Sequence, residues 1–487
     1  MCARGAPARA EPGGIGPGWS GAGAGWYRGP VASKLSPEDF AFLKAFYQQV
    51  AGEEPLDPAD RRYVELYRDA GQDDPVELMF RGIAWQTGKS AQLLSGFRGT
   101  GKSTELRRLR DRLRASGYVV VLLDMEDYLN MSTKVEVSDF LMAVAGGYSD
   151  ALAAPDLLGF DPKREGYWTR LAAFLRKTRI EIPDVAEYGV KAALKTDPTF
   201  KQRLQSQMAG HLGALTDDVH EFFQESLQAI HKKYSAKPEV VLIVDSMEHV
   251  RGTSMNDRDV QASLVNLFAG HAPRLKLPNV HVVYTVPPYL KVLSPSLGDL
   301  YGAGAIQIFP AIKVHKPDGD DPAARAPHDA GVLALQAVLR ARGTVERLFA
   351  SEDHVRKLVR MSGGHLRDVL RLTAEVLRRA QSVPVGEDIV DGAIRAIRAE
   401  MLPIADEHAR WLARIAVTRK AELASIRQIT DLAAFLDSHV VLCFKNGQDE
   451  YYDVHPLIRE HVLSQARDLE RREETSNKRP GDKSGGP

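Results

Sequence analysis

Cysteine is almost missing from this 487-residue chain: Cys2 and Cys443 are the only two. Two thiols are too few for a disulfide framework or a four-sulfur zinc site, and such usage fits a reducing cytoplasm. Long apolar runs are missing as well. The longest are strand-sized, which excludes a bilayer-spanning helix and leaves no membrane partner to expect. Neither sign of charge prevails, with 64 Lys and Arg against 64 Asp and Glu. That balance argues against a protein whose main role is to coat nucleic acid, although a local basic face is compatible with it. The 14 histidines are scattered, and none sits beside Cys or acids at metal-ligand spacing. No local motif suggests a Ser-His-Asp or Cys-His nucleophile, and there is no fixed-period repeat.

What is present divides into segments. Residues 1–34 are low-complexity Gly, Pro and Ala, which bury too little to offset their ordering entropy, so disorder is expected. A translation start set too far upstream would give the same composition. Residues 35–91 read as an N-terminal helical segment, opened by Ser36 as cap and Pro37 in the first turn. From 92 to 314 apolar strands alternate with helices. Residues 92–94, 118–123, 240–244 and 280–285 are continuous apolar runs of the kind buried on both faces, with 305–309 as a fifth. Strands separated by helices predict a parallel α/β sheet.

A helical insertion occupies about 129–238. Its last part reads as one long helix capped by Asp197, with an apolar stripe from Phe200 to Ile230. That stripe either packs on its own domain or meets another copy or an effector protein. A polar Gly/Pro loop at 315–330 marks a boundary. A helical module follows at 331–402, then a module at 403–466 with a helix at 430–437 and a hairpin turning at Asn446-Gly447. The tail 467–487 is charged, then Gly/Pro-rich, and reads as disordered.

The strongest motif is Gly96-Phe97-Arg98-Gly99-Thr100-Gly101-Lys102-Ser103, which satisfies G-x-x-x-x-G-K-[ST] between a strand and a helix. Its glycines let successive backbone N–H groups of the loop, Arg98 and Thr100 included, converge on phosphate oxygens, and the helix start adds unpaired N–H groups at Lys102, Ser103 and Thr104. Lys102 neutralises β- and γ-phosphate charge, and the Ser103 hydroxyl ligates Mg²⁺. The second acidic half of such a site follows a buried strand, where Asp245 stands; it would hold the magnesium through water. Glu248, three residues on, is the candidate base for the attacking water, with Ser246 in the position directly after the magnesium carboxylate. Thr285 ends the fourth strand and can hydrogen-bond the γ-phosphate or the lytic water.

With these residues in place the chain resembles an AAA+ or STAND-type P-loop ATPase of the additional-strand class, closest to the group holding Orc1/Cdc6-like and bacterial STAND ATPases. The resemblance covers roughly 57–465 and rests on the phosphate loop, Asp245 with Glu248, Thr285 in the "sensor 1" place, and Ser362-Gly363-Gly364-His365-Leu366-Arg367. In that segment Arg367 takes the place of a "sensor 2" arginine. The resemblance implies a three-layer P-loop NTPase sandwich around a parallel sheet, a helical lid at 331–402 and a small winged-helix-like α+β domain at 403–466. Two features depart from it. Between Val286 and Ile306 there is no arginine to act as a finger on a neighbouring subunit, and Arg251 is a weak substitute. The terminal module has one clear helix between 421 and 440, whereas a DNA-reading helix-turn-helix needs two, and its hairpin tip is acidic.

These readings predict an ATP- and Mg²⁺-dependent ATPase that acts as a conformational switch. By resemblance, such proteins act in bacterial signalling or defence, often as homo-oligomers or with an effector protein bound through the insertion or the C-terminal domain. The alternative is an ATP-dependent DNA-binding protein of the Orc1/Cdc6-like type, which the neutral charge and acidic hairpin disfavour. The arginines at 107, 108, 110, 112 and 114 avoid the leucine stripe of their helix and read as a solvated face.

Overall fold

The computed structural model describes residues 35–477, apart from 53, 160–165, 179–186, 254, 303–305, 318–320, 322–324, 424, 426–427 and 448. The low-complexity segment 1–34 and residues 478–487 of the expected tail lie outside the described residues. Apart from a single helical turn at Leu66–Asp69, two N-terminal helices, α1 (Pro37–Val50) and α2 (Pro75–Ala84), precede β1 (Ser90–Gly96), α3 (Lys102–Ala115) and β2 (Val119–Asp124). Five helices form the insertion: α4 (Val137–Leu152), α5 (Tyr167–Lys177), α6 (Glu187–Thr196), α7 (Pro198–Met208) and α8 (Leu212–Lys233). Then come β3 (Val240–Asp245), α9 (Asp257–Val265), β4 (Val280–Val286) and β5 (Ile306–Phe309).

The five strands form one parallel sheet in the order β2-β3-β4-β1-β5. Strand β4 is thus inserted between the phosphate-loop strand and the Asp245 strand. The strands are apolar without alternation because helices cover both faces. Val240, Leu242 and Val244 point into one cluster and Val241 and Ile243 into the other.

The insertion's stripe is buried within its own domain: Phe200, Leu204, Met208, Leu215, Val219 and Phe222 all enter the first cluster. Among the described residues the stripe is therefore spent on packing within its own domain. The single long helix expected from Asp197 is two helices, broken at Ala209-Gly210. Asp197 caps the first as expected, accepting from the Thr199 and Phe200 N–H groups.

The lid comprises α10 (Asp329–Arg340), α11 (Glu352–Met361), α12 (Leu366–Arg379) and α13 (Glu387–Glu400). Val369, Leu372 and Val376 of α12 share a cluster with Leu43 and Phe46 of α1 and with Leu94 of the sheet, so α1 bridges core and lid. The C-terminal domain holds α14 (Asp406–Thr418), α15 (Gln428–Asp437), the hairpin β6 (Val441–Asn446) and β7 (Asp449–Val454), and α16 (Pro456–Asn477). The turn begins one residue later than the expected Asn446-Gly447 pair, since Asn446 ends β6 opposite Asp449; Gly447 takes φ +61° at the first turn position, which a primed hairpin turn requires. Helix α16 runs to Asn477, ten residues past the point where the composition suggested disorder to begin. Ile458, Val462 and Ala466 bury its first half, and that anchorage lets a charged extension stay helical.

Candidate functional site

Strand β1 ends in the loop 96–101, where Gly99 and Gly101 hold φ +85° and +92°. Only glycine takes these angles at no steric cost, and they turn the chain so that α3 starts with its N-terminus facing the loop. A Cβ on Gly96 would lie 2.7 Å from the Phe309 Cβ, so this glycine also serves β1–β5 packing. Thr100 Oγ1 donates to the Phe97 carbonyl at 2.9 Å, and Lys102 Nζ donates to the same oxygen at 2.6 Å.

Lys102 Nζ also pairs with Glu248 Oε1 at 2.8 Å, both side chains being 2% exposed. Glu248 reaches that far because Ser246 adopts a left-handed φ of +71° and swings the chain into the turn Met247–His249. Burial opposes its charge, but Lys102, aided by His249, holds the carboxyl below its ordinary range. Its other oxygen, Oε2, is buried without a hydrogen-bond partner.

Asp245, the last residue of β3, accepts from the Ser246 N–H at 2.8 Å and lies beside the Ser103 hydroxyl. Burial, reinforced by the Glu248 charge, raises its pKa. Thr285, fully buried on the strand between them, accepts from the Met247 N–H at 3.0 Å and so fixes the turn that carries Glu248. The Thr104 side chain accepts from the Leu56 N–H at 3.0 Å, which leaves the expected role of its backbone N–H untouched.

The lid is seated on the loop. The Arg367 N–H donates to the Gly99 carbonyl at 3.0 Å, and a Cβ on Gly99 would meet the Arg367 Cβ at 2.6 Å. His365 Nε2 donates to the Arg98 carbonyl at 2.9 Å. The fold thus brings Lys102, Ser103, Glu248 and Arg367 to the lining of one cavity, with Asp245 and Thr285 buried outside that lining. That cavity, about 770 Å³, extends from Arg98–Glu105 to an apolar wall that includes Val50, Leu56, Val64, Val338 and Leu370. The glycine-lined loop, the hydroxyl–carboxylate pair of Ser103 and Asp245, and the unpartnered Glu248 oxygen fit a magnesium triphosphate, whose hard cation takes oxygen donors. The wall has the size and character for a flat base.

Motif reasoning missed that wall, whose residues come from the N-terminal segment and the lid with no local signature. It also misread the arginines of α3. Arg108 pairs with Asp74 at 2.6 Å, Arg110 with Asp57 at 3.5 Å and Arg112 with Glu77, while Arg107 donates to the Pro55 carbonyl. They clamp the N-terminal segment over the loop. Arg251, the weak candidate for a finger, pairs with Asp437 of α15 at 3.0 Å.

The loop also reaches the C-terminal domain directly. Phe97, 2% exposed, packs in one cluster with Trp411, Leu412, Ile415 and Phe435. Lys291 pairs with Glu450 of the hairpin at 2.7 Å, and the Ala311 N–H donates to the Cys443 carbonyl at 3.0 Å. At the lid–C-terminal junction Asp368 meets His365 Nδ1 at 2.9 Å, His455 Nε2 at 3.3 Å and His439 Nε2 at 3.4 Å. Although Asp368 is buried, His365 and His455 hold its carboxyl well below the usual range. Three of the fourteen scattered histidines are here drawn around one buried acid.

No protein-family model matches the chain and no curated protein is significantly similar to it. Among solved structures, the ORC2 protein of Aeropyrum pernix in ADPNP–ADP complexes superposes with a TM-score of 0.38 at 10% identity, covering 88% of this chain and 98% of that one. Cdc6p of Pyrobaculum aerophilum gives 0.32 at 15% identity, over 86% and 99%. Drosophila ORC bound to AT-rich DNA and Cdc6 gives 0.33 at 12%, over 86% and 55%. The β2-β3-β4-β1-β5 order, the phosphate loop, the lid and the terminal α+β module give this chain a P-loop NTPase fold with β4 added between the phosphate-loop strand and the Asp245 strand.

Proposed function

We propose that this protein binds ATP with magnesium at the 96–103 loop, hydrolyses it, and uses the cycle as a conformational switch. The observation that carries the reading is the buried Lys102–Glu248 pair at 2.8 Å. The cation suited to β- and γ-phosphates and the carboxylate suited to activating water hold one another, so a triphosphate must compete for Lys102 to bind. Drawing Lys102 onto phosphate oxygens frees Glu248 to orient water and accept its proton. Ser103 and Asp245 would hold magnesium, which neutralises charge developing on the β- and γ-phosphates. Thr285 keeps the Glu248 turn in register, and Arg367, already on the loop, closes the lid over the γ-phosphate.

Coupling outward follows from packing. Phe97 lies within the phosphate loop yet is buried in the C-terminal cluster, so loop conformation and docking of that domain share one side chain. A ligand that favours one loop conformation shifts the docking equilibrium by its differential affinity. The test pairs phosphate release with limited proteolysis near 402–406. ATP should change the cleavage rate there in wild type and in Glu248→Gln, with phosphate release only in the former. Unaltered cleavage at saturating ATP would remove the switch and leave a plain ATPase.

The alternative is ATP-dependent DNA binding; the Drosophila ORC of the similar structures is bound to AT-rich DNA. Here α15 and the hairpin are tied to the core by Arg251–Asp437 and Lys291–Glu450, so this domain would have to undock before reading a groove. Duplex binding with a steep salt dependence, appearing only with ATP, would favour that reading.

A further inference from the structure

A second cavity, about 720 Å³, lies away from the phosphate loop between lid and C-terminal domain. It is lined by α11 and α13 of the lid, by α16, and by His315, Arg325 and Pro327 of the connecting loop. Seven of its lining residues are cationic and three are acidic. Such an excess matters where the lining is buried, because buried charges are normally matched.

The mismatch is sharpest at its deepest residues. Arg325 and Arg459 are 3% and 5% exposed, and both rely on one carboxylate, Asp453, at 3.2 and 2.9 Å. Arg360 donates to the Arg325 carbonyl at 2.7 Å and, like Arg395 and Arg398, has no carboxylate partner among the described residues. The Nε donors of Arg325, Arg360, Arg398 and Arg459 are all buried without an acceptor. Lys357 is neutralised by Glu387 and Asp391 and Arg356 by Asp329. Of the lining acids, Asp353 and Glu460 are exposed and make no ion pair among the described residues. The crowding of cations, after burial itself, also holds His315 neutral, at a pKa of about 2.

Buried guanidinium donors without acceptors cost stability until an anion supplies them. Arginine forks match phosphate oxygens bidentately, and two or three suffice for one phosphate group. The donors here come from four segments, the connecting loop, α11, α13 and α16, and outnumber the two or three arginines that one phosphate group takes. The volume is that of a small-molecule site. Nucleic acid would meet exposed cations at a surface, whereas Arg325 and Arg459 are reachable only by a small ligand.

We propose that this cavity is a binding site for a small molecule carrying two or more phosphate groups, which braces the lid against the C-terminal domain. The site is separate from the 96–103 loop and does not depend on what that loop binds.

The test uses the full chain with Lys102→Ala, to weaken phosphate binding at the loop, and tripolyphosphate, adenosine tetraphosphate, orthophosphate and duplex DNA as probes. Calorimetry should show saturable one-site binding of tripolyphosphate, with orthophosphate weaker. Adding Arg360→Gln and Arg398→Gln should weaken tripolyphosphate at least ~10-fold, since each lost charge-assisted hydrogen bond is worth about that or more. Because these substitutions relieve repulsion, the melting temperature without ligand should hold or rise. Tighter binding of adenosine tetraphosphate than of tripolyphosphate would assign the ligand to nucleotides, and equal binding to inorganic polyphosphate; both uphold the site. Polyphosphate affinity unchanged by the two substitutions overturns it. So does a fall in melting temperature without ligand, which would make these arginines structural, and so does arginine-dependent binding of DNA without binding of polyphosphate.

Discussion

Replacing Lys102 by methionine keeps the aliphatic stem but removes the charge beside Glu248, whose Oε2 already lacks a partner. The stranded carboxylate must either stay charged in the interior or take a proton. Keeping a group of ordinary pKa 4.5 protonated at pH 7 costs about 3.4 kcal/mol, at about 1.4 kcal/mol per pH decade. That matches the 3–5 kcal/mol typical of breaking a buried pair. The sign is fixed by linkage: in the variant the folded pKa lies above the unfolded one, so stability is retained below pH 4.5 and lost as pH rises. The destabilisation should therefore shrink to about 0.7 kcal/mol at pH 5. Glu248→Gln in the same chain should restore most of the loss at pH 7. Urea unfolding of nucleotide-free protein at pH 7 and pH 5 measures all of this. A cost independent of pH, or a double variant weaker than the single one, refutes the reasoning.

Three further outcomes follow from the same geometry. Glu248→Gln should retain ATP yet hydrolyse it ~10²–10⁴-fold more slowly, the usual contribution of a general base, as read by single-turnover phosphate release; an unchanged rate removes Glu248 from the chemistry. Phe97→Ala deletes a buried ring shared by the phosphate loop and the C-terminal cluster. It should cost about 3–5 kcal/mol in unfolding and also abolish the ATP-dependent change in cleavage near 402–406, whereas an unaltered change would uncouple the two. Burial, with the neighbouring His365, lowers the His439 pKa to about 3, so its contribution is intact above the unfolded value of 6.5 and lost as pH falls towards 3. Wild type should lose about 2 kcal/mol relative to His439→Gln between pH 7 and pH 5; parallel profiles would contradict that.

The features legible in the sequence are those whose chemistry is local. The phosphate loop and its helix are contiguous, and strands buried on both faces advertise themselves as unbroken apolar runs, so the sheet and Asp245 could be placed without tertiary information. Glu248 could be named because the turn after Asp245 is short. What escaped depends on residues far apart in the chain. The arginines of α3 look solvated until Asp57, Asp74 and Glu77 fold over them. Phe97 occupies a variable position of its motif, and nothing local says that Trp411 and Phe435 will receive it. Asp368 gathers histidines 3, 71 and 87 residues away. The helix break at Ala209-Gly210 was hidden because the apolar spacing continues across it.

The measurement that bears most directly on the central claim is calorimetric titration of ATP with Mg²⁺ into wild type and Lys102→Ala. Saturable one-to-one binding in the wild type, lost or weakened at least ~10-fold in the variant, is the predicted result. Absence of heat from any purine nucleotide with metal present, or equal affinity in the two proteins, would contradict the assignment of the 96–103 loop as the nucleotide site.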